Sequence, residues 1–242
     1  MSLVIVIATH KPFAPPNDDA YLPLQVGAAG KERLGFLTDD TGDNISAKNG
    51  GFCELTGLYW AWKNLKDADA LGLCHYRRYF KATPAHIAEL LEKFDCILPK
   101  KRNYFIETTY SQYAHAHNAI DLDRTREIIA EQHPGYLAAF DAVMKSPKGH
   151  RFNMLVMKRP ILERYCDWLF DILFELEKRL DVSSYSANDR RVFGFVAERL
   201  LDVWILTNGI RYAELPILHT ESQHWPTKIL SFLVRKFLPR RR

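Results

Sequence analysis

The chain has no Cys-x-x-Cys pair, no hydrophobic run of bilayer length, no internal repeat and no low-complexity linker. Each absence removes a class of protein. The four cysteines, Cys53, Cys74, Cys96 and Cys166, lie far apart in apolar stretches. A zinc site or redox motif is therefore not expected, and buried free thiols in a reducing compartment are. A membrane-spanning helix needs about 20 consecutive apolar residues, and no stretch approaches that. The opening run from Leu3 to Ala8 is too short for a signal peptide and lacks a basic flank. The expected location is the cytoplasm. Excess charge of one sign is also scarce. The formal charge is only +4, and much of it sits beyond Glu221, in Lys228, Arg235, Lys236, Arg240, Arg241 and Arg242. So local a positive charge, on a chain of this pattern, argues against nucleic acid as a partner.

What is present is an ordinary globular composition, 47% apolar and 26% charged over 242 residues. Leu3 to Ala8 reads as a buried parallel strand, and Ala70 to Cys74 as another. Helical spacing of Leu55, Leu58, Tyr59 and Trp62 predicts a helix there. Pro84 to Phe94 reads as a helix and Asp95 to Pro99 as a strand. Helices are expected over 122–132 and 136–144, a strand over 152–157, and a long helix opening at Pro160. A further helix is expected from Asp189 to about Leu206, then a last strand over 211–218. Residues 30–51 form a long polar loop of the kind that carries function. The alternation predicts an α/β fold, one mixed, mostly parallel sheet flanked by helices. Residues 1–225 would form one domain and residues 226–242 a basic tail.

The central stretch is Cys74-His75-Tyr76-Arg77-Arg78-Tyr79-Phe80. It follows a predicted strand, and open α/β sheets bind ligands beyond the carboxyl ends of their strands. Arg77 and Arg78 could grip phosphate oxygens bidentately. The competing reading is a surface Arg pair among core aromatics. Thr9 and His10, after the first strand, could meet a base or ribose, or simply make a turn. Glu54 could contact ligand or favour the helix dipole. Glu198 and Arg199 lie near the apolar face of their helix, as a structural pair or with Glu198 as a catalytic carboxylate. His115 and His117, two apart, do not share a helix face.

Several blocks together resemble a known family. They are Asn44-Ile45-Ser46, Asn49, the run Cys53-Glu54-Leu55-Thr56-Gly57-Leu58-Tyr59-Trp60-Ala61-Trp62-Lys63-Asn64, the run from Gly72 to Phe80, and Glu198-Arg199-Leu200-Leu201. The family is domain of unknown function 4422, found in bacterial capsule and exopolysaccharide loci. The resemblance runs from Thr9 to Trp204. It implies a glycosyltransferase with a GT-A-like nucleotide-sugar-binding domain, some members transferring galactofuranose from a UDP-sugar. A non-catalytic nucleotide-sugar or glycan-binding module of a polysaccharide assembly complex is the alternative.

On that reading the donor site comprises Thr9, His10, Asn44, Asn49, Glu54, His75, Tyr76, Arg77 and Arg78. Glu198 is the first choice of general base and Asp189 the second, since inversion needs a group to take the acceptor's proton. Many GT-A enzymes hold a divalent cation with Asp-x-Asp after a strand. Here Asp67-Ala68-Asp69 precedes its strand, at the wrong end. No metal is therefore expected to be required, with Mn2+ or Mg2+ held by Asp39, Asp40 or Asp43 as the alternative. The expected partners are a nucleotide-sugar donor and a glycan or lipid-linked acceptor. Residues 228–242 combine a wide apolar arc with basic residues, as interfacial helices do. They suggest peripheral attachment to an anionic membrane surface, the inner face of the plasma membrane.

Overall fold

The computed structural model describes residues 1–220. The elements in chain order are β1 (Leu3–Thr9), β2 (Tyr21–Gln25), β3 (Leu37–Thr38), α1 (Asn49–Phe52), α2 (Leu55–Asn64), β4 (Ala70–His75) and β5 (Arg78–Phe80). Then come α3 (Pro84–Lys93), β6 (Cys96–Pro99), β7 (Arg102–Asn103), α4 (Thr109–Ala116), α5 (Ile120–Gln132), α6 (Leu137–Lys145) and β8 (Lys148–Gly149). The last are β9 (Leu155–Lys158), α7 (Arg159–Arg179), α8 (Val192–Asn208), β10 (Tyr212–Leu215) and β11 (Ile217–His219). The proposed basic tail lies outside the described residues.

Local chemistry explains the boundaries. Thr83 caps α3 by accepting from the His86 N–H, and Pro84 takes the first turn, where no N–H is needed. Gly209, at φ +59°, closes α8 in the left-handed conformation that glycine tolerates. Gly57 lets α2 cross β2, because a Cβ there would stand 2.8 Å from Val26 Cγ1.

The main sheet runs β10-β6-β9-β4-β1-β2-β3. The pairs β1–β2, β1–β4, β2–β3 and β6–β10 are parallel, whereas β9 is antiparallel to both β4 and β6. This is the mixed, mostly parallel sheet expected. Two differences matter. The strand expected over 152–157 begins only at Leu155, because Phe152 and Asn153 are left-handed, at φ +76° and +52°. The single strand expected over 211–218 is two, and β11 turns to pair with β5.

Strand residues alternate between two cores. Val6, Leu71, Leu73, Leu155 and Met157 face the side covered by α2, α7 and α8. Ile5, Ile7, Ala70, Cys74 and Val156 face the smaller side, under α3. Asp39, fully buried, joins the long loop to the sheet. It accepts from the Gly27 and Ala28 N–H groups at 2.8 and 3.0 Å, and from the Ser46 hydroxyl. Replacing Asp39 by Ala should strand these donors and cost about 2 kcal/mol or more. Urea unfolding of the variant would show a lower midpoint, and an unchanged midpoint would contradict this anchoring.

Candidate functional site

The carboxyl ends of β1, β2 and β4 and the amino end of β9 meet along one edge of the sheet. His75 is the last residue of β4. Its Nε2 lies 2.6 Å from the Phe152 carbonyl oxygen, and a carbonyl only accepts, so Nε2 carries the proton. The same nitrogen is 4.0 Å from Glu54 Oε1. Glu54 stands just before α2 and accepts from Asn153 Nδ2 at 2.7 Å, while that amide also reaches the Gly194 carbonyl at 3.0 Å. The Phe152 N–H donates to Glu198 Oε1 at 2.9 Å, and Arg199 Nη1 donates to Glu198 Oε2 at 2.8 Å. The side chains of Glu54, His75 and Glu198 are 13, 14 and 16% exposed, shielded yet reachable.

Three non-glycine residues here have positive φ, namely Cys53 at +52°, Phe152 at +76° and Asn153 at +52°. Each such conformation costs about 1–3 kcal/mol and persists only where surroundings enforce it. The enforcing contacts are visible. Asn49 Nδ2 binds the Cys53 carbonyl at 2.6 Å, and Glu54 and Glu198 hold the other two residues.

The walls are cationic. The guanidinium groups of Arg78 and Arg151 sit 4.2 and 4.6 Å from the Phe152 ring centroid. Arg77 lies over Tyr76 at 5.1 Å, and Arg191 Nε donates to Cys53 Sγ at 3.2 Å. Burial, then the charges of Arg102 and Arg78, lower the Arg151 pKa to about 10. Enclosure, then Arg77, Lys11, Lys31 and Arg191, lower that of His10, so its imidazole is neutral at pH 7. Burial pushes the Cys53 thiol up to about 11, so it stays protonated. A cleft of this kind favours a polyanion.

Of the residues singled out from sequence, the structure brings together Glu54, His75, Tyr76, Arg77, Arg78 and Glu198. His10 joins at the rim, edge-on to Tyr76 with ring centroids 5.3 Å apart. Thr9 is fully buried, and its hydroxyl closes a turn with Lys11. Asn44 makes a local turn through Gly42 and Ser46, and Asn49 braces Cys53 and Thr56. Asp189 is buried and meets Ser186 and His117. His115 instead pairs with Glu107. Sequence reasoning missed Cys53, Arg151, Phe152, Asn153 and Arg191 as site residues.

The donor set does not suit a divalent cation. The residues after β4 are cationic, and Asp69, at the opposite end of β4, accepts from the Ser2 N–H. Asp39 is committed to backbone, Asp40 to Arg33 and Asp43 to Tyr59. A hollow of about 330 Å³ lies among α4, α5 and α6. Its polar groups satisfy one another, Tyr110 with Asp123 and Arg126 with Asp141, so it is a surface crease rather than the site.

Fold and cleft together define an α/β protein with an anion-attracting edge, where open sheets bind ligands. Residues 4–209 match the family described as domain of unknown function 4422 (DUF4422), and the chain belongs to it. A solved structure, the WbbM bifunctional glycosyltransferase in its apo form, is similar over 92% of this chain, with 30% sequence identity and a TM-score of 0.85. The similarity covers 46% of that chain, so this chain spans less than half of its length. No curated protein matches.

Behind Arg151, the buried His150 fixes the segment. Its Nδ1 is 2.6 Å from Asp202 and its Nε2 is 3.2 Å from Glu214, with Lys101 3.4 Å from Asp202. Burial would raise the Asp202 pKa, but the His150 contact and the charges of His150 and Lys101 outweigh it and hold the value below 3.8. A carboxylate depressed on folding stabilises above its unfolded pKa, and that stability is lost as pH falls through the folded value. Unfolding free energy measured between pH 6 and pH 3 should therefore fall more steeply for the wild type than for Asp202→Asn. Parallel profiles would contradict this.

Proposed function

We propose that the chain is an inverting glycosyltransferase of bacterial surface polysaccharide synthesis, moving galactofuranose from a UDP-sugar to a glycan or lipid-linked acceptor. The observation that carries this reading is the cationic edge after β4, where Arg77 and Arg78 follow His75 and the Arg78 guanidinium lies against Phe152, whose N–H is held by the shielded Glu198. Similarity to the WbbM glycosyltransferase supports it.

A departing nucleoside diphosphate gathers negative charge, and preorganised cations lower the cost of that charge. On this reading Arg77 and Arg78 meet the diphosphate. Arg151, half-buried beside Phe152, strengthens the field. No metal ion takes part.

Each carboxylate oxygen has two lone pairs, so one accepted bond does not fill it, but an oxygen not tied to any protein donor is the freest to meet and take the acceptor proton. Both Glu198 oxygens are engaged, by Phe152 and Arg199. Glu54 accepts only at Oε1 among the described residues. We therefore assign the base to Glu54 and give Glu198 the task of holding the Phe152 backbone. This reverses the order expected from sequence, in which Glu198 and then Asp189 were the bases.

The direct test is product formation from UDP-galactofuranose and a glycan acceptor. Transfer should persist in chelator, Glu54→Gln should lower kcat by about 10²–10⁴, and UDP binding should survive in that variant. Arg78→Ala should weaken UDP about tenfold or more, the loss of one charge-assisted contact. UDP binding with neither hydrolysis nor transfer would mark a binding module. Transfer lost in chelator and restored by manganese would overturn the metal-free assignment.

A further inference from the structure

The segment after β6 leaves the ligand edge of the sheet and forms β7, which pairs with β8, Arg102 opposite Gly149 and Asn103 opposite Lys148, before the chain enters α4. Between β7 and α4 stand two consecutive large apolar side chains, Phe105 at 82% and Ile106 at 73% exposure. Among the described residues, the other exposed large hydrophobics are single residues at 58% or less. A water-facing pair of this size is unfavourable unless a partner covers it.

This segment is built rather than frayed. Phe105 is left-handed at φ +60°, its N–H donating to Asn103 Oδ1 at 2.9 Å. The Tyr104 N–H donates to the Pro147 carbonyl at 2.7 Å, and the Tyr104 carbonyl accepts from Ile106 at 2.9 Å. Tyr104 itself is buried beneath. The fold thus holds Phe105 and Ile106 outward.

The surroundings select the partner. Lys100, Arg102 and Lys148 are exposed and form no salt bridge among the described residues, whereas Lys145 faces Asp141. Glu107, next to the apolar pair, is 8% exposed and bound to His115, and Asp123 and Asp141, on the side of Lys145, are engaged by Tyr110 and Arg126. Two exposed apolar side chains next to a strand pair that carries Arg102 and Lys148 match an anionic phospholipid surface, where apolar groups enter the acyl boundary and cations meet headgroups. A protein partner would need acids facing these cations and an apolar pocket for the pair, and nothing on this chain calls for one.

We infer that the Phe105-Ile106 pair is a membrane-docking element that seats on anionic lipid together with the neighbouring Lys100, Arg102 and Lys148. Docked in this way, the segment brings the cleft edge close to the bilayer. The inference is independent of the transfer reaction and of the basic tail.

The experiment is sedimentation of the full-length protein with phosphatidylcholine vesicles, alone or with one-third phosphatidylglycerol. Hydrogen exchange is followed in the bound state. Wild type should partition to the anionic vesicles, with amides 103–107 protected. Phe105→Ser/Ile106→Ser should reduce binding at least fivefold with an unchanged melting temperature. Arg102→Glu/Lys148→Glu should do likewise, separating charge from apolar insertion. Failure of the wild type to bind, equal binding to neutral vesicles, undiminished binding of either variant, or absent protection at 103–107 would each overturn the inference.

Discussion

Two successive residues in the left-handed region hold the ligand edge together. Phe152 and Asn153 could not keep that conformation alone, and two carboxylates from distant parts of the chain enforce it. Glu198, on α8, takes the Phe152 N–H, and Glu54, ahead of α2, takes the Asn153 amide. His75 at the end of β4 completes the brace through the Phe152 carbonyl. One short segment therefore ties α2, β4, β9 and α8 into one wall. Cys53, itself left-handed, locks the same wall from the other side, its carbonyl bound by Asn49 and its thiol by Arg191.

The brace also explains the charge pattern. Carboxylates spent on backbone and amide donors still carry charge, so they partly offset the guanidinium groups around them. Arg199 is matched by Glu198 at 2.8 Å. Arg78 and Arg151 flank the Phe152 ring, which orients both guanidinium groups toward the same edge. The electrostatic result is a cleft still attractive to anions, although acids line its floor. The segment bearing Phe105 and Ile106 follows β6 at the same edge, so the proposed docking pair and the proposed donor site lie at one edge of the sheet.

Much of the fold was legible because its signals are local. The apolar runs of β1 and β4, the spacing in α2, Pro84 before α3 and the stripe along α7 all read correctly. The block from His75 to Arg78 was placeable because it follows a strand. Other features depend on tertiary context. The direction of β9 cannot be read from Leu155-Val156-Met157, since a buried strand looks the same either way. Without its direction, nothing in the sequence places its amino end, and with it Arg151, Phe152 and Asn153, at the ligand edge. Left-handed φ at Cys53 leaves no mark in composition. Asn49 and Thr9 had the right chemistry for ligand contact, yet their polar atoms are consumed by loop and turn closure. The Glu198–Arg199 pair was foreseen as one of two options, and the structure contains it.

The central claim is that guanidinium groups beyond β4 recognise pyrophosphate rather than the nucleoside. Calorimetric titration of UDP against uridine, repeated across rising salt, addresses it directly. The account predicts that UDP binds at least tenfold more tightly at low ionic strength and that the gap narrows as salt screens the cleft. Equal affinities, or a gap indifferent to salt, would contradict it.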